Sequence, residues 1–130
     1  MVNILIVDSD STYAQMLHSG LTLDYYSVAV ARDAQTAVDE LDQNGADIVI
    51  LELVLNHNNG LTLLQHLRSY GDWQQIPVVV VTQLSADRIQ LSDEQWQQYG
   101  VVECIHKTDL NLSDLQQLIA DTVAHAARTS

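Results

Sequence analysis

Short, β-branched, almost uninterrupted apolar runs recur along this chain, and each interval between them has room for one helix. The runs fall at Val2–Val7, Ser27–Ala31, Ile48–Leu51, Val78–Val81 and Val101–Ile105. Three of them are nearly continuous in apolar residues. A strand carries such a run when both of its faces are covered, as in a parallel sheet flanked by helices. Regular alternation of these runs with amphipathic segments specifies a doubly wound α/β sheet rather than a sandwich or a bundle. At 130 residues, with 47% hydrophobic and 17% charged residues, the chain is read as one globular domain with a single sizeable core.

Helix signals fill the intervals. Asp10 or Ser11 is a good N-cap type, and Tyr13, Met16, Leu17 and Leu21 follow at helical spacing. A second helix is expected after Asp33, with Ala34, Ala37, Val38 and Leu41 as its core stripe and Asn44-Gly45 as its stop. A third spans roughly Leu61–Ser69 and closes near Gly71. Pro77 stands at the head of the fourth strand, where a missing N–H is tolerated. Ser92-Asp-Glu-Gln95 has the form of a capping box for a short fourth helix ending at Gly100, after a long connection over Gln83–Leu91. Leu115, Leu118, Ile119, Thr122 and Val123 form the cleanest 3.6-residue stripe, in the fifth helix. The last residues, Ala127 to Ser130, carry no core-forming pattern.

Five basic against 17 acidic residues leave a net charge of −12. Such a surface repels phosphate backbones and anionic lipid, so direct nucleic-acid binding is not expected and a basic partner surface is favoured. Cys104 is the only cysteine, which rules out a disulfide framework or a cysteine-based zinc site; its apolar run predicts a buried, inert thiol. His18, His57, His66, His106 and His125 show no metal-ligand spacing, and His57 alone falls near the crevice described next. No signal segment or membrane-length apolar run is present, and the expectation is a soluble cytoplasmic protein.

In open parallel sheets, ligands bind beyond the carboxyl ends of the strands. The residues just past each apolar run are Asp8, Ser9 and Asp10 after the first, Glu52 after the third, Thr82 after the fourth and Lys107 after the fifth. Carboxylates, a hydroxyl and an ammonium converging in one crevice suit a hard cation and a phosphoryl group.

Ile4-Leu-Ile-Val-Asp8, Asp47-Ile-Val-Ile-Leu-Glu52, Gly60-Leu-Thr-Leu-Leu64, Ile76-Pro-Val-Val-Val-Val-Thr82 and Val102-Glu-Cys-Ile-His-Lys107, in this order and spacing, resemble the receiver domain of bacterial response regulators over essentially the whole chain. The resemblance implies a flavodoxin-like five-stranded parallel sheet in order 2-1-3-4-5 with helices on both faces. It would occupy residues 1–127, with 128–130 as a polar tail. It also implies a phosphoacceptor position at Glu52, an acidic pocket at Asp8, Ser9 and Asp10, switch positions at Thr82 and Cys104, and the family's lysine at Lys107. Its Mg²⁺ ligands would be Asp8, Glu52 and Val54.

The departures fall on the chemistry. Receivers carry aspartate where Glu52 stands, a second acidic residue at Ser9, an aromatic residue at Cys104, a small residue at Gln83, and prolines at Asn56 and Thr108. Gln83 is expected to fill phosphoryl space. Thr108 removes the reason for a cis bond after Lys107, because a non-proline cis bond costs roughly 3 kcal/mol. One extra methylene moves the nucleophilic carboxylate by about 1 Å, a misplacement that can cost on the order of 10²-fold in rate. Loss of the acid at Ser9 weakens Mg²⁺ binding further.

The reading is therefore a receiver that works without phosphorylation, a non-enzymatic interaction module in phosphorelay signalling with no cofactor expected. Its partners would be a histidine kinase, a phosphotransfer protein or an effector. Docking is expected on the first helix with the crevice loops, or on the face of helix four, strand five and helix five, the latter also a homodimer surface. The alternative is a conventional Mg²⁺-dependent switch, regulating a longer protein. A small hydrolase on the same sheet ranks last, lacking an aspartate nucleophile or a Ser-His arrangement.

Overall fold

The computed structural model describes residues 1–23, 25–56 and 58–129. His57 and Ser130 lie outside the described residues. Five parallel strands, β1 (Val2–Val7), β2 (Tyr26–Ala31), β3 (Ile48–Leu51), β4 (Val78–Thr82) and β5 (Val101–His106), form one sheet in the order β2-β1-β3-β4-β5. They are joined through α1 (Ser11–Leu21), α2 (Ala34–Asn44), α3 (Gly60–Ser69) and α4 (Asp93–Gln98), and α5 (Leu112–Thr129) follows the last strand. A short antiparallel pair, Val54–Leu55 with Asn58–Asn59, lies between β3 and α3. The expected flavodoxin-like order and architecture are thus present.

Continuous apolar runs arise because the strand period of two serves two cores at once. Ile4, Ile6, Ile48, Ile50, Val79 and Val81 face Leu17 and Leu21 of α1 and Leu115 and Ile119 of α5. Leu5, Val7, Val49, Leu51, Val78 and Val80 face Leu41 of α2 and Leu63, Leu64 and Leu67 of α3. Each buried Ile or Leu contributes about 1.5–3 kcal/mol relative to exposure, so a charge anywhere in β3 would be ruinous. Strand register then fixes the carboxyl edge: Val7 pairs with Leu51, and Leu51 with Val80.

The helix starts follow their caps. Asp10 accepts from the Tyr13 N–H at 3.1 Å, Asp33 from Thr36 at 2.8 Å and Asn59 from Leu61 at 2.8 Å. Ser92 and Gln95 make both bonds of the capping box. Gly45 stops α2 at φ 68°, a left-handed backbone that glycine takes without strain.

Three expectations need correction. Met16 is exposed, and Ala14 takes its place in the buried stripe of α1. Cys104 is exposed, because β5 is an edge strand on which only Val101 is fully buried. α3 begins at Gly60, one residue early. The helix α5 runs on to Thr129, with Ala127 and Arg128 exposed on its last turn. The connection Gln83–Leu91 holds a single 3₁₀ turn at Ala86–Arg88.

Candidate functional site

The carboxyl edge of the sheet brings four chemistry-bearing side chains together. Asp8 leaves β1 with its N–H bound to the Ala31 carbonyl at 3.0 Å, and Glu52 leaves β3 with its N–H bound to the Val7 carbonyl at 2.9 Å. The two carboxylates thus emerge side by side from neighbouring central strands. Lys107, just beyond β5, reaches back across the edge. Its Nζ lies 2.8 Å from Asp8 Oδ2 and 3.2 Å from Glu52 Oε1, and sits 4.4 Å from the centre of the Tyr13 ring. Among the described residues, Asp8, Glu52 and Thr82 are the buried polar ones.

Glu52 has no idle oxygen. Oε1 accepts from Lys107 and from the Gln83 backbone N–H at 2.9 Å. Oε2 accepts from the Val54 N–H at 3.1 Å and from the Thr82 hydroxyl. That hydroxyl in turn accepts from the Leu84 N–H at 3.1 Å. Two formal carboxylates share one ammonium, and backbone dipoles supply the remaining compensation that burial demands.

The electrostatics carry this imbalance. Desolvation raises the Asp8 carboxyl above its usual range, although the hydrogen bonds from Lys107 and the Asp10 N–H pull the other way. Burial pulls the Lys107 ammonium down, but the Asp8 bond and the two negative charges outweigh it and leave its pKa raised. Desolvation also raises the Tyr13 phenol, whose hydroxyl is buried without a hydrogen-bond partner.

Asp8, Glu52, Thr82 and Lys107 therefore converge as the strand ends predict, and three neighbours do something else. Ser9 turns away from the carboxylates: its hydroxyl donates to the Arg32 carbonyl at 2.6 Å and accepts from the Asn56 N–H at 2.8 Å. Asp10 is exposed and spent on capping α1. The Val54 N–H donates to Glu52 Oε2 at 3.1 Å. Gln83 likewise contributes its backbone, its side chain being exposed. Cys104 lines a shallow groove between β5 and α5 with Glu103, Asp109 and Leu118, where desolvation and the Glu52 charge raise its thiol pKa. Among the described residues, no group of three or more His, Cys, Asp or Glu side chains is arranged to hold a metal ion.

Sequence reasoning missed Tyr13, the Val54 and Gln83 amides, and His106. The His106 Nε2 lies 3.0 Å from the Gln83 carbonyl, and its Nδ1 accepts from the Thr108 N–H at 3.2 Å. A carbonyl oxygen can only accept, so the network assigns the ring proton to Nε2. No helix among the described residues is long and apolar enough to cross a membrane.

The comparisons agree with this frame. The family profile described as "Response regulator receiver domain" matches residues 4–120. The response regulator ArlR of Staphylococcus haemolyticus is 35% identical over 82 residues, 63% of this chain and 36% of ArlR. The response regulator PleD of Caulobacter vibrioides is 34% identical over 89 residues, 67% of this chain and 20% of PleD. The chain thus spans about a third or less of these relatives. Among solved structures, a CheY-like response regulator receiver domain protein from Methanospirillum hungatei superposes with a TM-score of 0.84 at 20% identity, covering 100% of this chain and 99% of that one. The receiver domain of a signal transduction histidine kinase from Syntrophus aciditrophicus does so at 0.83 and 25% identity, covering 100% and 96%. With a family match over residues 4–120, nearly its full length, this chain belongs to the response regulator receiver domain family.

Proposed function

We propose that this receiver works without phosphorylation, as a protein-docking module of two-component signalling rather than as an enzyme or a metal-dependent acceptor. The observation that carries this reading is the saturation of Glu52. Its two oxygens already take the Thr82 hydroxyl, the Lys107 ammonium and two backbone N–H groups, the kinds of donor that would otherwise receive phosphoryl oxygens. A carboxylate so engaged is not free to attack, and its charge holds the surrounding loops in one arrangement.

The residues present do not fit Mg²⁺. That ion requires near-octahedral oxygen ligation at about 2.0–2.1 Å. Here the Asp8 oxygens accept from Lys107 and Asp10, and the Ser9 hydroxyl is bonded to loops on either side. A lysine ammonium lies between the two carboxylates, where it would repel a divalent cation.

The module acts through its surfaces. Candidate partners are a histidine kinase, a phosphotransfer protein or an effector, met on α1 with the crevice loops or on the α4–β5–α5 face, which could also pair with a second copy. The −12 charge favours a basic partner surface and opposes direct contact with nucleic acid. The test is a titration with Mg²⁺ and then beryllofluoride, a phosphoryl analogue, following the backbone amide resonances of Val54, Gln83 and Lys107. These should stay in place; a saturable shift at all three would overturn the reading in favour of a conventional switch.

A further inference from the structure

We infer that Ser9 and His106 are positioning residues: each braces one of the two loops whose backbone N–H groups grip Glu52, using a partner N–H that a proline could not provide. The inference deepens the proposed silent pocket, and its first observation is the Ser9 hydroxyl. Donating to the Arg32 carbonyl at 2.6 Å and accepting from the Asn56 N–H at 2.8 Å, it ties the loops after β1, β2 and β3. Asn56 lies two residues beyond Val54, whose N–H donates to Glu52 Oε2. Holding Asn56 fixes the short loop that aims the Val54 amide.

His106 does the same on the other side. Its Nδ1 accepts from the Thr108 N–H, which sets the ring, and also lies 2.7 Å from the Thr108 hydroxyl. Its Nε2–H then donates to the Gln83 carbonyl at 3.0 Å. The Gln83 N–H, on the same residue, donates to Glu52 Oε1. Anchoring a residue's carbonyl restricts the rotation of the peptide planes on either side of it, because only φ and ψ remain soft.

Both braces use N–H groups at positions 56 and 108, where receivers typically carry proline. A proline there would leave the Ser9 lone pair and His106 Nδ1 without that donor. Four departures from the family pattern or from bland surface chemistry (Ser9, Asn56, His106 and Thr108) thus serve one end. They pre-set the two amides that receive the lengthened side chain of Glu52. An aspartate at position 9 has no proton to give the Arg32 carbonyl, so the Ser9 brace and a second pocket carboxylate exclude each other.

Amide hydrogen exchange at residue resolution, on the full chain, tests this. Loss of one hydrogen bond corresponds to roughly tenfold in local opening. Ser9→Ala should speed exchange at Asn56 and Val54 by about that factor, and Ser9→Thr, which keeps the hydroxyl, should restore protection. His106→Ala and Thr108→Pro should each speed exchange at Gln83. The central-strand amide of Val79 should not change in any of them. Unchanged exchange at Val54 and Gln83, or equal acceleration at Val79, would overturn the inference. The exchange result stands apart from the beryllofluoride titration, so the braces and the silent pocket can fail separately.

Discussion

The Thr82 hydroxyl donates to the Glu52 carboxylate at the carboxyl edge of the central strands, and neither residue reaches solvent. This bond joins the end of β4 directly to the end of β3. Burial makes the pairing obligatory: each oxygen of a dry carboxylate must be met, and each unmet one costs about 1–3 kcal/mol or more. The Glu52 carboxylate engages Thr82, Gln83, Val54 and Lys107 together.

Glu52→Gln keeps the size but turns one acceptor oxygen into an NH₂ donor. Whichever way the amide is turned, that donor faces either Thr82 and Val54 or Lys107 and Gln83. A loss of roughly 1–3 kcal/mol is expected in urea unfolding. Glu52→Asp should also lose stability, since the shorter side chain cannot span all four donors. A Gln variant as stable as the parent would mean that the four bonds do not hold in solution.

Lys107→Met tests the ammonium. It removes the one cation between two buried carboxylates, and breaking a buried pair in this way costs about 3–5 kcal/mol. The exposed Arg32–Asp33 pair, at 4.0 Å and with Arg32 85% exposed, is the contrast: Arg32→Ala should change stability by less than about 1 kcal/mol. Similar losses in the two variants would show that the pocket is wetter than its burial indicates.

The acid limb of the stability curve tests Asp8. Its folded-state pKa is raised, chiefly by desolvation, so the folded chain binds this proton at higher pH than the unfolded chain does. The contribution of Asp8 is then fully present below the unfolded value near 3.8 and is lost as pH rises through the folded value. Urea midpoints at steps from pH 4 to 7 should show the advantage of the native chain over Asp8→Asn shrinking as pH rises. An advantage that grows with pH would reverse the sign assigned here. Lys107, also raised, should contribute up to about its unfolded value of 10.5 and lose that contribution as pH climbs through its folded value.

The strand ends made Asp8, Glu52, Thr82 and Lys107 legible before any coordinates, because apolar runs mark where strands stop and the parallel sheet sends those ends to one edge. That the strands serve a core on each face was legible from the same apolar runs. What stayed hidden depends on backbone groups or on strand position. Sequence gives no sign that the Val54 and Gln83 amides face Glu52, nor that Ser9 turns toward Arg32 and Asn56. Cys104 and Met16 were misplaced because residue type reports apolarity without saying that β5 is an edge, or which residues of α1 face outward. The guanidinium of Arg68 is a further case. It bonds the Tyr99 carbonyl at 2.7 Å, the Trp73 carbonyl at 3.3 Å, and those of Gln74 and Ile76. Nothing in its neighbourhood in sequence distinguishes it from a surface arginine.

Gly60 offers the sharpest steric test of the site. It opens α3 against the loop leaving β3, with its N–H on the Leu53 carbonyl at 2.8 Å. A Cβ at this position would lie 2.6 Å from the Glu52 carbonyl oxygen and 2.7 Å from Leu53 Cα, both backbone atoms that cannot rotate aside. Gly60→Ala must therefore push the loop that carries Glu52 and the Val54 amide, and overpacking of this kind costs about 1–3 kcal/mol. Gly71 is the control, since a Cβ there meets nothing within 4 Å. Thermal unfolding should show Gly60→Ala destabilised and Gly71→Ala unchanged or slightly improved. Amide resonances of Val54 and Gln83 should shift only in the former. If both alanine variants melt with the parent and leave those resonances in place, the helix start does not press on the Glu52 loop, and the close approach that seats the carboxylate is wrong.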